Sequence, residues 1–152
     1  PRLCVGALEK PRPRVALGLA LNGIASAAID VSDGLLADLG HIAERSGCAA
    51  AVKLVQLPHL RDVAGSGESY DAELRRFALE CQLTGGDDYE LCFTAQGRHS
   101  LAIAQIAAAQ ELPLWNIGEM VSGPTGEVKV LDPDGKPVEF HRKGYDHFGK
   151  TA

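Results

Sequence analysis

The stretch Ser26-Ala-Ala-Ile-Asp-Val-Ser-Asp-Gly-Leu-Leu-Ala-Asp-Leu39 contains the change of pattern on which the predicted fold depends. Its first part, Ser26–Val31, is a compact apolar run typical of a buried strand. The chain then turns at Ser32-Asp33-Gly34 and continues as an amphipathic helix that ends near Gly47, where a left-handed C-cap is expected. The sequence therefore predicts a strand, a polar turn and a helix in direct succession.

Three short oxygen-bearing side chains, Asp30, Ser32 and Asp33, lie within this turn. Where a strand ends and a helix begins, side chains can project into a crevice. Three such groups cannot all be buried without partners. Two interpretations stay open on local grounds: Ser32 or Asp33 caps the helix while Asp30 accepts backbone hydrogen bonds, or the carboxylates hold a cation.

Outward from this stretch, helical and strand patterns alternate along the chain. Further helices are predicted from Val15 to about Gly23, Tyr70 to Glu80 and Ser100 to Glu111, and strands at 48–54, 89–94, 114–120, 126–131 and 138–140. Asp132-Pro-Asp-Gly135 predicts a hairpin turn. This order indicates a mixed α/β or α+β sandwich and leaves open whether the sheet is parallel or mixed. Residues 1–13 are predicted to be a linker or lead-in, and residues 14–152 one domain.

Composition limits the class of protein. Hydrophobic residues make up 45% of the chain and charged residues 23%, which is typical of a soluble globular domain. A net charge of −5 does not favour binding to nucleic acid or to an anionic membrane surface. The four cysteines form no CxxC pair, and no apolar run approaches the roughly 20 residues of a membrane span. We therefore expect a cytoplasmic protein with reduced thiols.

Two further clusters carry chemically useful groups. Thr84-Gly-Gly-Asp-Asp-Tyr-Glu90 combines two glycines, which permit close backbone approach, with two adjacent acids that repel each other unless a positive group is near. Lys143-Gly-Tyr-Asp-His-Phe148 lies near the end of the chain. By itself, this segment is compatible with an aromatic anchor that packs onto the domain. His41 and Glu44, one helical turn apart, are predicted to form a solvated pair.

Three segments together resemble the thiamine-monophosphate kinase family in their order and spacing: Ala28–Leu39, Gly85-Gly-Asp-Asp-Tyr-Glu-Leu91 and Lys143–Phe148. The resemblance runs from about Pro11 to Phe148. The family belongs to the aminoimidazole-ribonucleotide-synthetase-like superfamily, whose members have two domains, and this chain resembles the second. The resemblance implies an α+β domain with a mixed sheet covered by helices, close to a ferredoxin-like arrangement. It also implies that an N-terminal nucleotide-binding domain is absent from this chain and that the full-length enzyme is a homodimer.

The resemblance assigns roles to five residues. Asp30 and Asp33 match Mg²⁺ ligands, and Ser32 matches a residue that contacts ATP. Asp87 stands where the family more usually has a glutamate that contacts the substrate, and Tyr145 matches an aromatic residue that packs on the substrate. The implied reaction is the Mg²⁺-dependent transfer of the γ-phosphoryl group of ATP to thiamine monophosphate, which gives thiamine diphosphate.

Two alternatives remain at this stage. The chain could be the C-terminal domain of another ATP-dependent enzyme of the superfamily. It could also be a binding or dimerisation module without chemistry of its own. As part of an interdomain enzyme, the isolated 152-residue chain is expected to be inactive, because half of an interdomain site cannot position both reactants.

Overall fold

The structure, a computed structural model, describes residues 9–58 and 72–140. Within these ranges the helices and strands follow one another as α1 (Val15–Ala20), β1 (Ala25–Asp30), α2 (Leu35–Arg45), β2 (Ala49–Lys53), α3 (Ala72–Thr84), β3 (Leu91–Ala95), α4 (Ser100–Ala109), β4 (Gly118–Val121), β5 (Val128–Leu131) and β6 (Pro137–Val138).

The strands form two sheets. Strands β1 and β3 pair antiparallel, with Asp30 opposite Leu91 at one end of the ladder. The other four strands form a mixed sheet in the order β4-β2-β5-β6, in which β2 runs parallel to β5 and antiparallel to β4. Periodicity left open whether the sheet is parallel or mixed, and the larger sheet is mixed. The predicted α+β class with a mixed sheet and covering helices is confirmed.

Helix α2 supplies much of the core. Its buried side chains include Leu39, Ile42 and Ala43, and they join a cluster with Val52 of β2 and Val130 of β5. Each fully buried Leu, Ile or Val side chain contributes about 1.5–3 kcal/mol relative to an exposed one. Helix α2 is therefore anchored along its length, and its N-terminus is held at a fixed position relative to the sheets.

Several element boundaries differ from the sequence prediction. Helix α1 ends at Ala20, and helix α3 continues to Thr84, four residues beyond its predicted end. The predicted hairpin turn is confirmed, since the Gly135 N–H donates to the Asp132 carbonyl oxygen over 3.0 Å. The predicted C-cap is also confirmed, because Gly47 has a φ of 65°. In the part of the chain that the structure describes, no helix is long and apolar enough to cross a bilayer.

Candidate functional site

Two loops that the sequence singled out separately lie side by side. The aspartate loop (residues 30–34) follows β1, and the glycine loop (residues 85–90) precedes β3, so the pairing of the two strands brings the loops to the same end of the small sheet. Three backbone hydrogen bonds join them: Val31 N–H to the Glu90 oxygen at 2.8 Å, Tyr89 N–H to the Val31 oxygen at 2.9 Å, and Asp87 N–H to the Ser32 oxygen at 2.9 Å. The first two motifs are therefore parts of one site.

Glycines make this close approach possible. A Cβ atom at Gly86 would lie closer than 3.0 Å to the Ser32 carbonyl oxygen, which real side chains essentially never do. At Gly34 it would lie 2.8 Å from the Thr84 carbonyl oxygen, and Gly34 also has a φ of 111°. The backbone is unusual at Asp87 and Tyr89 as well, with φ values of 65° and 50°. Such conformations cost of the order of 1–3 kcal/mol for non-glycine residues and are concentrated at functional sites.

Asp38 is a charged residue of the amphipathic helix α2 that is nevertheless buried. Its side chain is 2% exposed. One of its oxygens, Oδ2, accepts hydrogen bonds from the backbone N–H groups of Ser32 at 2.9 Å and Asp33 at 3.0 Å. A buried carboxylate needs such partners, and here the loop before the helix provides them.

The helix-capping interpretation of the aspartate loop is wrong in detail. The N-cap of α2 is Gly34, with no side-chain hydrogen bond from the cap position, so neither Ser32 nor Asp33 is the N-cap. The usual arrangement is reversed, because Asp38 inside the first turns of the helix accepts N–H groups of the loop.

The two candidate metal ligands lie in different surroundings. Asp30 is exposed at the end of β1 and lines a cleft of about 450 Å³ together with Tyr89 and Glu90. Asp33 is half-buried, and its carboxylate lies with Asp38 and His41 in a group whose ligand atoms are all within 4.8 Å of one another. Carboxylate oxygens are the hard ligands that Mg²⁺ prefers, and one or two per ion suffice because Mg²⁺ keeps several waters. The chemistry of the Asp30 and Asp33 side chains therefore suits this ion, although the close group contains Asp33 and not Asp30.

Residues just before α1 also line this cleft. Arg14 donates two hydrogen bonds to the Glu90 carboxylate, one from Nε at 2.7 Å and one from a terminal guanidinium nitrogen. Pro11 and Pro13 line the same cleft. Arg14 was not among the candidate residues, since no local pattern links it to a residue 76 positions away.

Neighbouring negative charges raise the pKa values of two residues in the glycine loop. The pKa of Asp88 is raised above its ordinary value by partial burial and by the neighbouring charges of Glu90 and Asp87. The pKa of Tyr89 is also raised, first because its hydroxyl donates a hydrogen bond to Asp87 at 3.1 Å and then because of that residue's charge. Clustered negative charge of this kind favours the binding of a cation.

The remaining predicted residues have mixed outcomes. His41 and Glu44 form the expected solvated pair, with 4.0 Å between Nδ1 and Oε2. Cys48, Cys81 and Cys92 are free thiols. Tyr145 and the rest of the third motif lie outside the described residues. Asp38 is the main residue of the candidate site that the sequence analysis did not propose. The sequence feature that could have indicated it is its position between apolar residues of α2.

Comparison with known proteins identifies the wider relationship. Residues 5–131 match the model of the family described as AIR synthase related protein, C-terminal domain. A thiamine-monophosphate kinase of Salmonella typhimurium is 44% identical over 147 residues, which cover 91% of this chain and 40% of that protein. The enzyme of the same name from Escherichia coli is 39% identical over 139 residues, with the same shares covered. The chain thus spans about two fifths of the length of these curated relatives.

Solved structures agree with these matches. A thiamine-monophosphate kinase from Stenotrophomonas maltophilia K279a has 46% sequence identity and a TM-score of 0.72, covering 88% of this chain and 39% of that one. A structure described as AaThiL complexed with AMPPCP and TMP has 28% identity and a TM-score of 0.67, covering 95% of this chain and 40% of that one.

Proposed function

The chain belongs to the family of AIR synthase related protein C-terminal domains, and we propose that it supplies the C-terminal half of the active site of an ATP-dependent thiamine-monophosphate kinase. Its similarity to curated enzymes of that name supports this assignment. The similarity to a structure containing AMPPCP and TMP supports ATP as the phosphoryl donor and thiamine monophosphate as the acceptor.

The contact between the aspartate loop and the glycine loop is the observation that carries the proposal. The hydrogen bond from Asp87 N–H to the Ser32 oxygen, 2.9 Å long, places Asp87 beside the loop that contains Asp30 and Asp33. The residues proposed to bind the acceptor and those proposed to hold the metal and nucleotide are therefore adjacent. A phosphoryl transfer needs this adjacency, because donor and acceptor phosphates must meet in line.

In the proposed reaction an oxygen of the thiamine monophosphate phosphate attacks the γ-phosphorus of ATP. The bond from the γ-phosphorus to the β–γ bridging oxygen breaks, and ADP leaves with that electron pair. The attacking oxygen is already anionic, so no strong general base is needed. The obstacle is repulsion between two highly charged phosphates, and the site must therefore supply positioning and electrostatic stabilisation.

Each candidate residue has a defined task in this scheme. Asp30 and Asp33 would hold Mg²⁺, and Ser32 would contact ATP. Bound Mg²⁺ would neutralise part of the phosphate charge as it spreads in the transition state. Asp87 would orient the acceptor, although its side chain is one methylene shorter than the glutamate more usual in the family. Tyr145 would pack on the thiamine rings, one of which is cationic.

We further propose that this chain acts within a longer protein. It spans about 40% of the length of its curated relatives, as expected if a nucleotide-binding domain precedes it in the full-length enzyme. We expect that enzyme to be a cytoplasmic homodimer. The 152-residue chain alone should be inactive, since half of an interdomain site cannot position both reactants.

The test is a kinase assay on the full-length protein, in which formation of ADP and of thiamine diphosphate is followed together. Equal amounts of both products, dependent on thiamine monophosphate and Mg²⁺, support the proposal. The isolated chain is assayed beside it and should give no turnover. Release of ADP without thiamine diphosphate, or transfer to a different phosphate acceptor, would favour another enzyme of the superfamily.

A further inference from the structure

We infer that Asp38 is a positioning residue for the proposed metal site: its buried carboxylate holds the aspartate loop in the conformation that presents Asp30 and Asp33 to Mg²⁺. This inference rests on the proposed function and adds to it a residue that acts through the backbone of the aspartate loop.

Asp38 is hydrogen-bonded directly to the backbone of the aspartate loop. Its Oδ2 accepts both the Ser32 N–H at 2.9 Å and the Asp33 N–H at 3.0 Å, and its side chain is 2% exposed. Asp38 is itself fixed to the start of α2, because its own N–H donates to the Gly34 oxygen at 3.0 Å. The loop and the first turns of the helix therefore form one closed unit.

Ser32 shows how tightly this unit is held. Its N–H donates to Asp38, while its carbonyl oxygen accepts the Asp87 N–H at 2.9 Å from the glycine loop. The peptide groups on both sides of Ser32 are thus fixed by different parts of the chain. Since Asp33 follows directly and its own N–H is bound to the same carboxylate, these contacts fix the backbone from which the Asp33 side chain projects.

A purely structural role explains this arrangement less well. Burial of a carboxylate is costly, and among the described ion pairs none neutralises Asp38 with a lysine or arginine. A charged acceptor does, however, form shorter and stronger hydrogen bonds to backbone N–H groups than a neutral one. The start of α2 also favours a negative charge. The carboxylate therefore suits a loop that must stay rigid while highly charged ligands bind next to it.

The test uses the full-length protein with three variants. Asp38→Ala removes the acceptor, and Asp38→Asn keeps a carbonyl oxygen of the same shape without the charge. Ile42→Val is the control, because Ile42 is a core residue of the same helix, 5% exposed, and does not bind the loop. Two quantities are measured on folded protein: amide hydrogen exchange at Ser32 and Asp33, and the Mg²⁺ concentration that gives half-maximal kinase activity.

We expect Asp38→Ala to speed exchange at both amides and to raise the half-maximal Mg²⁺ concentration by about 10–100-fold, the usual effect of losing a group that orients metal ligands. For Asp38→Asn, the exchange rates and the half-maximal Mg²⁺ concentration should lie between those of Asp38→Ala and wild type. Ile42→Val should lower the unfolding temperature and leave both quantities unchanged. If Asp38→Ala fails to fold, Asp38→Asn decides by the same two measurements.

Wild-type amide protection or wild-type Mg²⁺ dependence in the folded Asp38 variants would overturn the inference. A wild-type protein without kinase activity would overturn the proposed function alone. In that case, exchange at Ser32 and Asp33 is compared with and without Mg²⁺ and a non-hydrolysable ATP analogue. Added protection in wild type that is lost in Asp38→Ala supports the positioning role, and equal behaviour of the two proteins refutes it.

Discussion

The backbone N–H of Asp87 donates a hydrogen bond to the carbonyl oxygen of Ser32 over 2.9 Å, although the two residues are 55 positions apart in the sequence. This bond joins the glycine loop to the aspartate loop. It converts two short acidic motifs, each compatible with an ordinary turn, into the two walls of one candidate site. The proposed chemistry depends on this junction staying closed.

Gly86→Ala should open the junction. The new Cβ would lie closer than 3.0 Å to the Ser32 carbonyl oxygen, so the two loops must separate and the Asp87–Ser32 hydrogen bond is lost. We expect a loss of stability of about 1–3 kcal/mol, as for other overpacked sites. The unfolding midpoint of the isolated chain in urea measures this change.

Gly97→Ala is the matched control, because a Cβ at Gly97 meets nothing within 4 Å. Its unfolding midpoint should stay close to that of the wild type. Equal midpoints for both glycine variants would mean that the loops are not packed together as the structure has them.

Asp88→Asn should stabilise the protein at neutral pH in the absence of metal. The folded-state pKa of Asp88 is raised above its ordinary value of 3.8, so the folded state disfavours the ionised form more than the unfolded state does. Wild-type stability therefore falls as the pH rises from 3.8 through the folded pKa, whereas the neutral asparagine avoids this loss.

Thermal unfolding at pH 7 and at pH 3.5 checks this prediction. The unfolding temperature of Asp88→Asn should exceed that of the wild type at pH 7, and the gain should shrink at pH 3.5. Asp134→Asn, in the exposed turn between β5 and β6, serves as the control for the change of side chain. A gain that is independent of pH would show that charge repulsion at Asp88 is not its cause.

Cys92 should resist thiol reagents that modify Cys81. Burial, with a smaller effect from the charge of Asp38, raises the pKa of the Cys92 thiol to about 11, and Cys81 is exposed. At pH 8 the reactive thiolate is therefore scarce at Cys92, and reagent also has little access to it. Iodoacetamide labelling followed by peptide mass spectrometry compares the two rates, and equal labelling in native protein would contradict the packing of β3.

Periodicity and turn chemistry predicted most of the local structure. The strand, turn and helix around Asp30, the C-cap at Gly47 and the hairpin at Asp132 all follow from short-range rules that act on neighbouring residues. The order of these elements limited the class to α/β or α+β, and the resemblance implied the α+β class. The end of α3 was placed too early, because the last turn before Gly85 contains polar residues that a helix tolerates.

Contacts between distant residues could not be predicted in the same way. Short-range rules favour a solvent-facing position for a charged residue of an amphipathic helix, but Asp38 is buried against backbone N–H groups that only the folded loop brings to it. Similarly, the pairing of Arg14 with Glu90 joins residues 76 positions apart, which no short-range rule connects. Sequence patterns thus identified the residues of the candidate site more readily than the contacts that hold them in place.

The measurement that tests the central claim most directly is the turnover of full-length Asp30→Asn and Asp33→Asn at increasing Mg²⁺, with Asp134→Asn as the matched control. Loss of a group that stabilises transition-state charge commonly lowers kcat by about 10²–10³-fold. We predict a loss of that order for both loop variants, with Asp134→Asn unchanged. Turnover equal to that of the wild type at every Mg²⁺ concentration would contradict the assignment of these carboxylates as metal ligands.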